Sequence, residues 1–194
     1  MTPDSFDIMR NAMVISQLRP NAVTDPRVIE AMASVPREDF VPAEQRATAY
    51  ADFTIPTGDG RGMNPPTVTG RLLNEARIEA RDHVLIVGAA SGYVAAVVAK
   101  IANKVSSVDA RAVSDGTLTG QYDVIFIDGA VEHVPDALVE QLAPGGRLVT
   151  GVVESGVTRL AVGRRGGAGF GLSAFADADV VVLPEFARPR AFVF

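Results

Sequence analysis

Cysteine and tryptophan are absent, and only two histidines, His83 and His133, occur in 194 residues. Without cysteine there can be no disulfide, no thiolate nucleophile and no zinc-thiolate centre. His83 leads into an apolar run and His133 sits in a polar turn, so no metal site is expected and both are read as structural or solvated. Positive charge is also short: 18 Lys and Arg against 23 Asp and Glu leave a net charge of -5. A nucleic-acid binder needs a basic stripe to meet phosphates, and Arg164-Arg165 and Arg188-Pro189-Arg190 are too small to supply one. Nor does any apolar run approach the length that crosses a bilayer. The opening MTPDSFDIMRNAM places Asp4 and Asp7 where a secretory leader carries positive charge, so a cytoplasmic protein with no membrane partner is expected.

Apolar residues make up 47% of the chain, enough for one sizeable core, and a single domain over 1–194 is the expectation. Phe6, Met9, Met13, Val14 and Leu18 recur at helix spacing from Ser5 to Leu18, ahead of Pro20. Thr24 reads as the N-cap of a second helix, with Pro26 in its first turn. FTIPTGDGRGMNPP, Phe53 to Pro66, is dense in Gly and Pro and reads as a loop. These helices and the loop, 1–66, precede an alternating part, 67–194. There, a helix from Thr67 to Ala80 is followed by the buried strand HVLIVG and a helix from Tyr93 to Ala102. The strands KVSSVD and YDVIFIDG, a short helix from Ala137 to Leu142 and the strand GGRLVTGVV come next. Apolar runs without polar alternation, separated by helices, imply a parallel sheet covered on both faces. At the end TRLAVGRRG and DADVVVLP read as an antiparallel pair joined by GGAGFGLSAF. FARPRAFVF reads as a closing edge strand with Phe192 and Phe194 inward.

In an open α/β sheet, ligands sit at the carboxyl ends of the strands where the order reverses, which points to the loop after Val87. Gly88 permits the tight turn, Gly92 permits close packing of the next helix, Ser91 can donate a hydrogen bond, and backbone N–H groups at that helix start face the crevice. Asp109 stands about twenty residues on, where an acid accepts ribose hydroxyls. A glycine turn that only packs strand on helix, with a solvated acid, is the alternative. A second glycine is expected for a pyrophosphate where Ala90 stands, which disfavours a nicotinamide cofactor. Asp128, ending IFID at a strand's carboxyl end, is a further cofactor or substrate contact, or a helix cap. Ser91 lacks the G-x-S-x-G setting of a hydrolase nucleophile.

The stretches QLRPNAVTDPRVIEAMASVPREDFVP and AYADFTIPTGDG, followed by DGTL, YDVIFIDGAVEHVP and LAPGGRLV, resemble the protein-L-isoaspartate O-methyltransferase family. The resemblance implies a class I, Rossmann-like S-adenosylmethionine-dependent methyltransferase fold with an N-terminal helical extension. It implies methyl transfer from S-adenosylmethionine to an isoaspartyl carboxylate in a damaged protein or peptide. Gly88, Ala90, Ser91, Gly92, Asp109, Asp115, Gly116 and Asp128 then become the candidate cofactor contacts. Asn64 and Arg61, in the substrate loop, become the candidate catalytic residues.

Four departures from the family pattern stand out. Gly62 and Asn64 replace the threonine and serine of a Thr-Ile-Ser-Gln-Pro run, and Arg61 replaces a glutamine, either as a charge-assisted partner for a substrate carboxylate or as a solvent-exposed loop arginine. Ile86 replaces an acid near the methionine part of the cofactor. Ala90 narrows the nucleotide loop. Between Asp109 and Asp115 only Ala110 to Ser114 remain, where the family has a helix and a strand, and a parallel crossover takes about a dozen residues. One helix and one strand are therefore expected to be missing, KVSSV to become a sheet edge, and the adenine wall to be lost or rebuilt from Asp115, Gly116 and Thr117. An exposed edge invites pairing, so a homodimer through Val105–Val108 is a further expectation. Two functions stay open: a methyltransferase with an altered substrate loop, and a non-catalytic member that binds partners through a degenerate cofactor pocket.

Overall fold

The computed structural model describes residues 3–58, 61–88, 91–114, 118–167 and 169–188. A six-stranded sheet runs through the molecule in the order β4-β3-β5-β6-β7-β8. Four strands are parallel: β3 (His83–Val87), β4 (Lys104–Val108), β5 (Tyr122–Val131) and β6 (Leu142–Glu154). The last two, β7 (Val157–Gly166) and β8 (Gly169–Asp177), extend it as antiparallel neighbours.

The central strands carry apolar side chains on both faces because both faces are covered. Val84 and Ile86 of β3, with Val124 and Phe126 of β5, pack into one core beside Leu72, Leu73, Tyr93 and Val97. Leu85 and Val87, with Ile125 and Ile127, enter a second core with Leu138, Leu142, Leu148, Leu183 and Phe186. The first core is roofed by α1 (Pro3–Met13) with its continuation Val14–Leu18, and by α2 (Pro26–Ser34), α3 (Pro66–Ala76) and α4 (Tyr93–Val98). The second has only α5 (Ala110–Ser114) and α6 (Asp136–Glu140), five residues each, plus the segment that follows β8.

The expected shortening after Asp109 is present in this form. Ala110–Ser114 keeps a helical stub, α5, and no further strand precedes β5 among the described residues, so Lys104–Val108 pairs only with β3 and ends the sheet. Asp115, Gly116 and Thr117, read as a rebuilt wall, lie outside the described residues, as do Ala90 and the segment carrying Phe192 and Phe194.

Three expectations are corrected. The FTIPTGDGRGMNPP stretch is not all loop: β1 (Ile55–Gly58) and β2 (Arg61–Met63) form a small antiparallel ladder, with Ile55 opposite Met63. The terminal antiparallel pair uses the Gly-rich stretch itself as its second strand. GFGLSAFAD forms β8, with Phe170 and Leu172 packed against the second core, while DADVVVLP leaves the sheet and makes one bridge, Val182 to Ala130. Thr24 does not cap α2. Asp25 does, its carboxylate accepting from Arg27 N at 2.9 Å, whereas the Thr24 N–H donates to Asn74 Oδ1.

The cap makes a direct test. Asp25→Ala removes the side chain that accepts from Arg27 N at the α2 start and lowers unfolding free energy by about 1 kcal/mol. Thr24→Ala, which removes a 3.4 Å hydroxyl contact to Asn74, changes it by less than about 0.5 kcal/mol. Urea unfolding of the two variants reads the difference, and equal effects would return the cap to Thr24.

Candidate functional site

The crevice at the carboxyl ends of β3, β4 and β5 is built from three parts of the chain. The turn after β3 begins with Gly88 at φ +82°, a left-handed conformation that glycine adopts without strain. Its N–H donates to Val108 O at 3.0 Å, which ties the turn to the end of β4. Gly92, φ +78°, starts α4, and Ser91 turns its hydroxyl back to accept from Tyr93 N at 3.3 Å. Ser91 therefore supports the helix start as an acceptor, and its own O–H stays a donor.

Asp109 follows β4 as the pattern requires, but its carboxylate is engaged. Arg61, delivered by β2, donates to both oxygens at 2.6 and 3.1 Å. This fork, with a bond from Arg111 N, holds the Asp109 carboxyl down to about 2. Arg61 also lies 3.9 Å from Glu185, and Arg111 lies 3.5 Å from the same carboxylate. The arginine read as a partner for a substrate carboxylate thus has two carboxylates of its own chain beside it.

Asn64 and Asp128 meet as a buried pair. Asn64 is 1% exposed and Asp128 8%. Asn64 Nδ2 donates to Asp128 Oδ1 at 2.9 Å, and Asn64 Oδ1 accepts from Val181 N at 2.9 Å. Its backbone carbonyl accepts from the guanidinium of Arg37, a fully buried residue of the PREDFVP stretch whose charge lies over the Tyr93 ring at 4.8 Å. Burial pushes the Asp128 carboxyl up to about 6, against the opposing pull of the Asn64 bond and the Arg37 charge.

Sequence reasoning missed the segment from Val181 to Glu185, which lies across this crevice. Ala130 N donates to Val181 O at 2.7 Å and Leu183 N donates to Ala130 O at 2.8 Å. A β-carbon on Gly88 would stand 3.1 Å from Leu183 Cδ1, and one on Gly129 only 2.5 Å from Leu183 Cγ. The void left beside Arg61, Gly88, Asp128 and Leu183 is about 60 Å³. A sequence signal existed: glycine inside the β5 strand, at Gly129, marks a place where another group approaches closely.

Asp128 yields a pH test whose sign follows from its buried acid. A carboxyl with a raised folded value contributes its full stability below about pH 4, and that contribution is lost as pH rises through about 6. Asp128→Asn keeps an acceptor for Asn64 and lacks the titration. Its stability relative to the wild type therefore rises between pH 4 and pH 7, by up to about 3 kcal/mol. A difference that stays flat across that range in urea unfolding would refute the assignment.

Comparison with known proteins places this geometry. The chain matches the sequence profile of the Protein-L-isoaspartate(D-aspartate) O-methyltransferase (PCMT) family over residues 9–119 and 110–170, two segments that overlap where the chain is short. It is 37% identical to Protein-L-isoaspartate O-methyltransferase 2 of Marinobacter nauticus, over 82% of this chain and 86% of that protein. It is 34% identical to the Protein-L-isoaspartate O-methyltransferase of Koribacter versatilis, over 76% and 79%. Among solved structures, a Plasmodium falciparum protein assigned as a protein-L-isoaspartate O-methyltransferase, in complex with S-adenosyl-L-homocysteine, superposes with a TM-score of 0.70. That pair is 16% identical and covers 91% of this chain and 98% of the other. A second protein-L-isoaspartate O-methyltransferase gives 0.72 at 18% identity, covering 92% and 67%. The two structures speak for the fold, a Rossmann-like class I methyltransferase, and the profile and the curated relatives show that the chain belongs to the protein-L-isoaspartate(D-aspartate) O-methyltransferase family.

Proposed function

We propose that the protein is an S-adenosylmethionine-dependent methyltransferase that esterifies the free carboxylate of isoaspartyl residues in damaged proteins or peptides, in the cytoplasm. Membership of the family, on relatives 34 to 37% identical across most of the chain, is the observation that carries this reading. The frame agrees with it: a strand, a tight turn at Gly88 and an acid after the next strand. No helix among the described residues is long and apolar enough to cross a membrane.

Among the described residues, the crevice in this conformation is too narrow for the cofactor. A bound small molecule of drug size takes a cavity of about 300–1,000 Å³, and the void at the turn is about 60 Å³. Leu183 stands against Gly88, and Arg61 holds both oxygens of Asp109. What the chain contributes is placement. A substrate carboxylate is already ionised near pH 7, so no strong base is required, and proximity and orientation supply most of the rate. Arg61 is the side chain at the crevice mouth suited to hold such a carboxylate, once its own acids release it.

The Arg61–Asp109 pair specifically favours a second reading, a non-catalytic member whose pocket is closed by its own residues. Methyl-labelled S-adenosylmethionine with an isoaspartyl peptide and its aspartyl twin separates the two. The expected outcome is base-labile label on the isoaspartyl peptide alone, reduced at least about tenfold in Arg61→Ala. A cooperatively folded chain that labels neither peptide sinks the enzymatic reading and leaves the binding protein.

A further inference from the structure

Residues Asp179–Phe186 are pinned at both ends and span the crevice between them. At the near end, Val180 N donates to Thr158 Oγ1 and Ala178 N to Thr158 O. At the far end, Phe186 is fully buried and its carbonyl accepts from Glu132 N at 3.2 Å and His133 N at 3.3 Å. The middle is held by less: two backbone bonds to Ala130, one bond from Val181 N to the Asn64 amide, and the Glu185 carboxylate beside Arg61 and Arg111. Leu183 is the only large side chain of that middle part driven inward, 8% exposed, while Val182 is 47% exposed.

Two blocks to the crevice belong to one segment, and the second of them bears on a third, the Arg61–Asp109 pair. Leu183 occupies the space that glycine leaves at positions 88 and 129. Glu185 stands beside Arg61, and Arg61 in turn engages Asp109. Lifting the middle of the segment withdraws Leu183, removes Glu185 from Arg61 and leaves Asp109 held by a partly exposed pair that can exchange with solvent or ligand. The two anchored ends need not move.

We propose that Asp179–Phe186 is an intramolecular strap that shuts the crevice, and that an S-adenosyl ligand and the strap exclude one another. This rests on the methyltransferase reading and adds a regulation to the same site. Only the open fraction binds, so the apparent dissociation constant of the wild type is raised by the reciprocal of that fraction. Anything that loosens the middle of the strap tightens ligand binding, which is the reverse of the effect expected from damaging a pocket wall.

Calorimetric titration with S-adenosylhomocysteine tests this on the full chain. Leu183→Ala is expected to bind at least about tenfold more tightly than the wild type. Glu185→Gln, which keeps Leu183 and its packing and so guards against loss of fold, tightens binding by about threefold. Amide exchange at Val181 and Leu183, both hydrogen-bonded in the closed form, accelerates when ligand is added. Equal affinity in all three proteins, with both amides as slow in the presence of ligand as in its absence, overturns the strap and leaves the methyltransferase reading intact. No binding by any of them, each shown to unfold cooperatively, overturns the strap and the cofactor reading together.

Discussion

One buried amide ties the site together. Asn64 offers a donor, an acceptor and a backbone carbonyl, and each is met by a different part of the chain: Asp128 of β5, Val181 of the strap, and Arg37 of the N-terminal extension. A buried polar group left unpaired costs about 1–3 kcal/mol, so these three segments are held in register by a penalty that each would incur on leaving. The serine that the family pattern places here would donate and accept through a single oxygen, whereas the Asn64 amide carries donor and acceptor on two separate atoms. Asn64 thus has an architectural role at this position. It fixes the strap to the same residue that the pattern assigns to substrate.

The shortened sheet explains why a strap is there to be fixed. The alternation of β3 and β5 leaves apolar side chains on both faces, and such faces must be covered. On one side four helices do this. On the other, α5 and α6 are five residues each, too short to shield Leu85, Val87, Ile125 and Ile127 alone. Leu183 and Phe186 complete that core. Residues after β8 that could have continued the sheet cover its exposed face in place of a lost helix, and the route from β8 to that face crosses the mouth of the crevice.

The sequence made the sheet legible because hydrophobic runs and glycine turns are local signals. HVLIVG, KVSSVD, YDVIFIDG and GGRLVTGVV all form strands, and the edge position of KVSSV followed from counting the residues after Asp109. What local signals could not carry was partnership. VVVLP has the composition of a strand, and Gly129 leaves the room in which Leu183 and Val181 O lie against β5. Arg61 and Asp109 were both legible as site residues, yet their pairing spans 48 positions and depends on the ladder of Ile55–Gly58 with Arg61–Met63, which Gly and Pro had disguised as loop. Asp25 lost to Thr24 because two capping residues stood next to each other, and the choice depended on Asn74 taking the Thr24 N–H.

Which element closes the crevice is decided by magnitude. The Arg61–Asp109 fork has good geometry, but Asp109 is 44% exposed at its side chain, and pairs of that kind are worth about 0.2–1 kcal/mol. A ribose or a substrate carboxylate could replace either partner at little net loss. Leu183 differs in kind: burying a leucine is worth about 1.5–3 kcal/mol, and no ligand hydrogen bond substitutes for it. Withdrawing it also uncovers the space beside Gly88 and Gly129 unless the incoming ligand fills it. A flat apolar group such as a purine does so, whereas a small anion does not. The apolar lining under Leu183 therefore sets the condition for opening: the ligand that displaces it must bring an apolar face of its own, and the charged residues at the mouth then serve to orient that ligand without supplying most of its affinity.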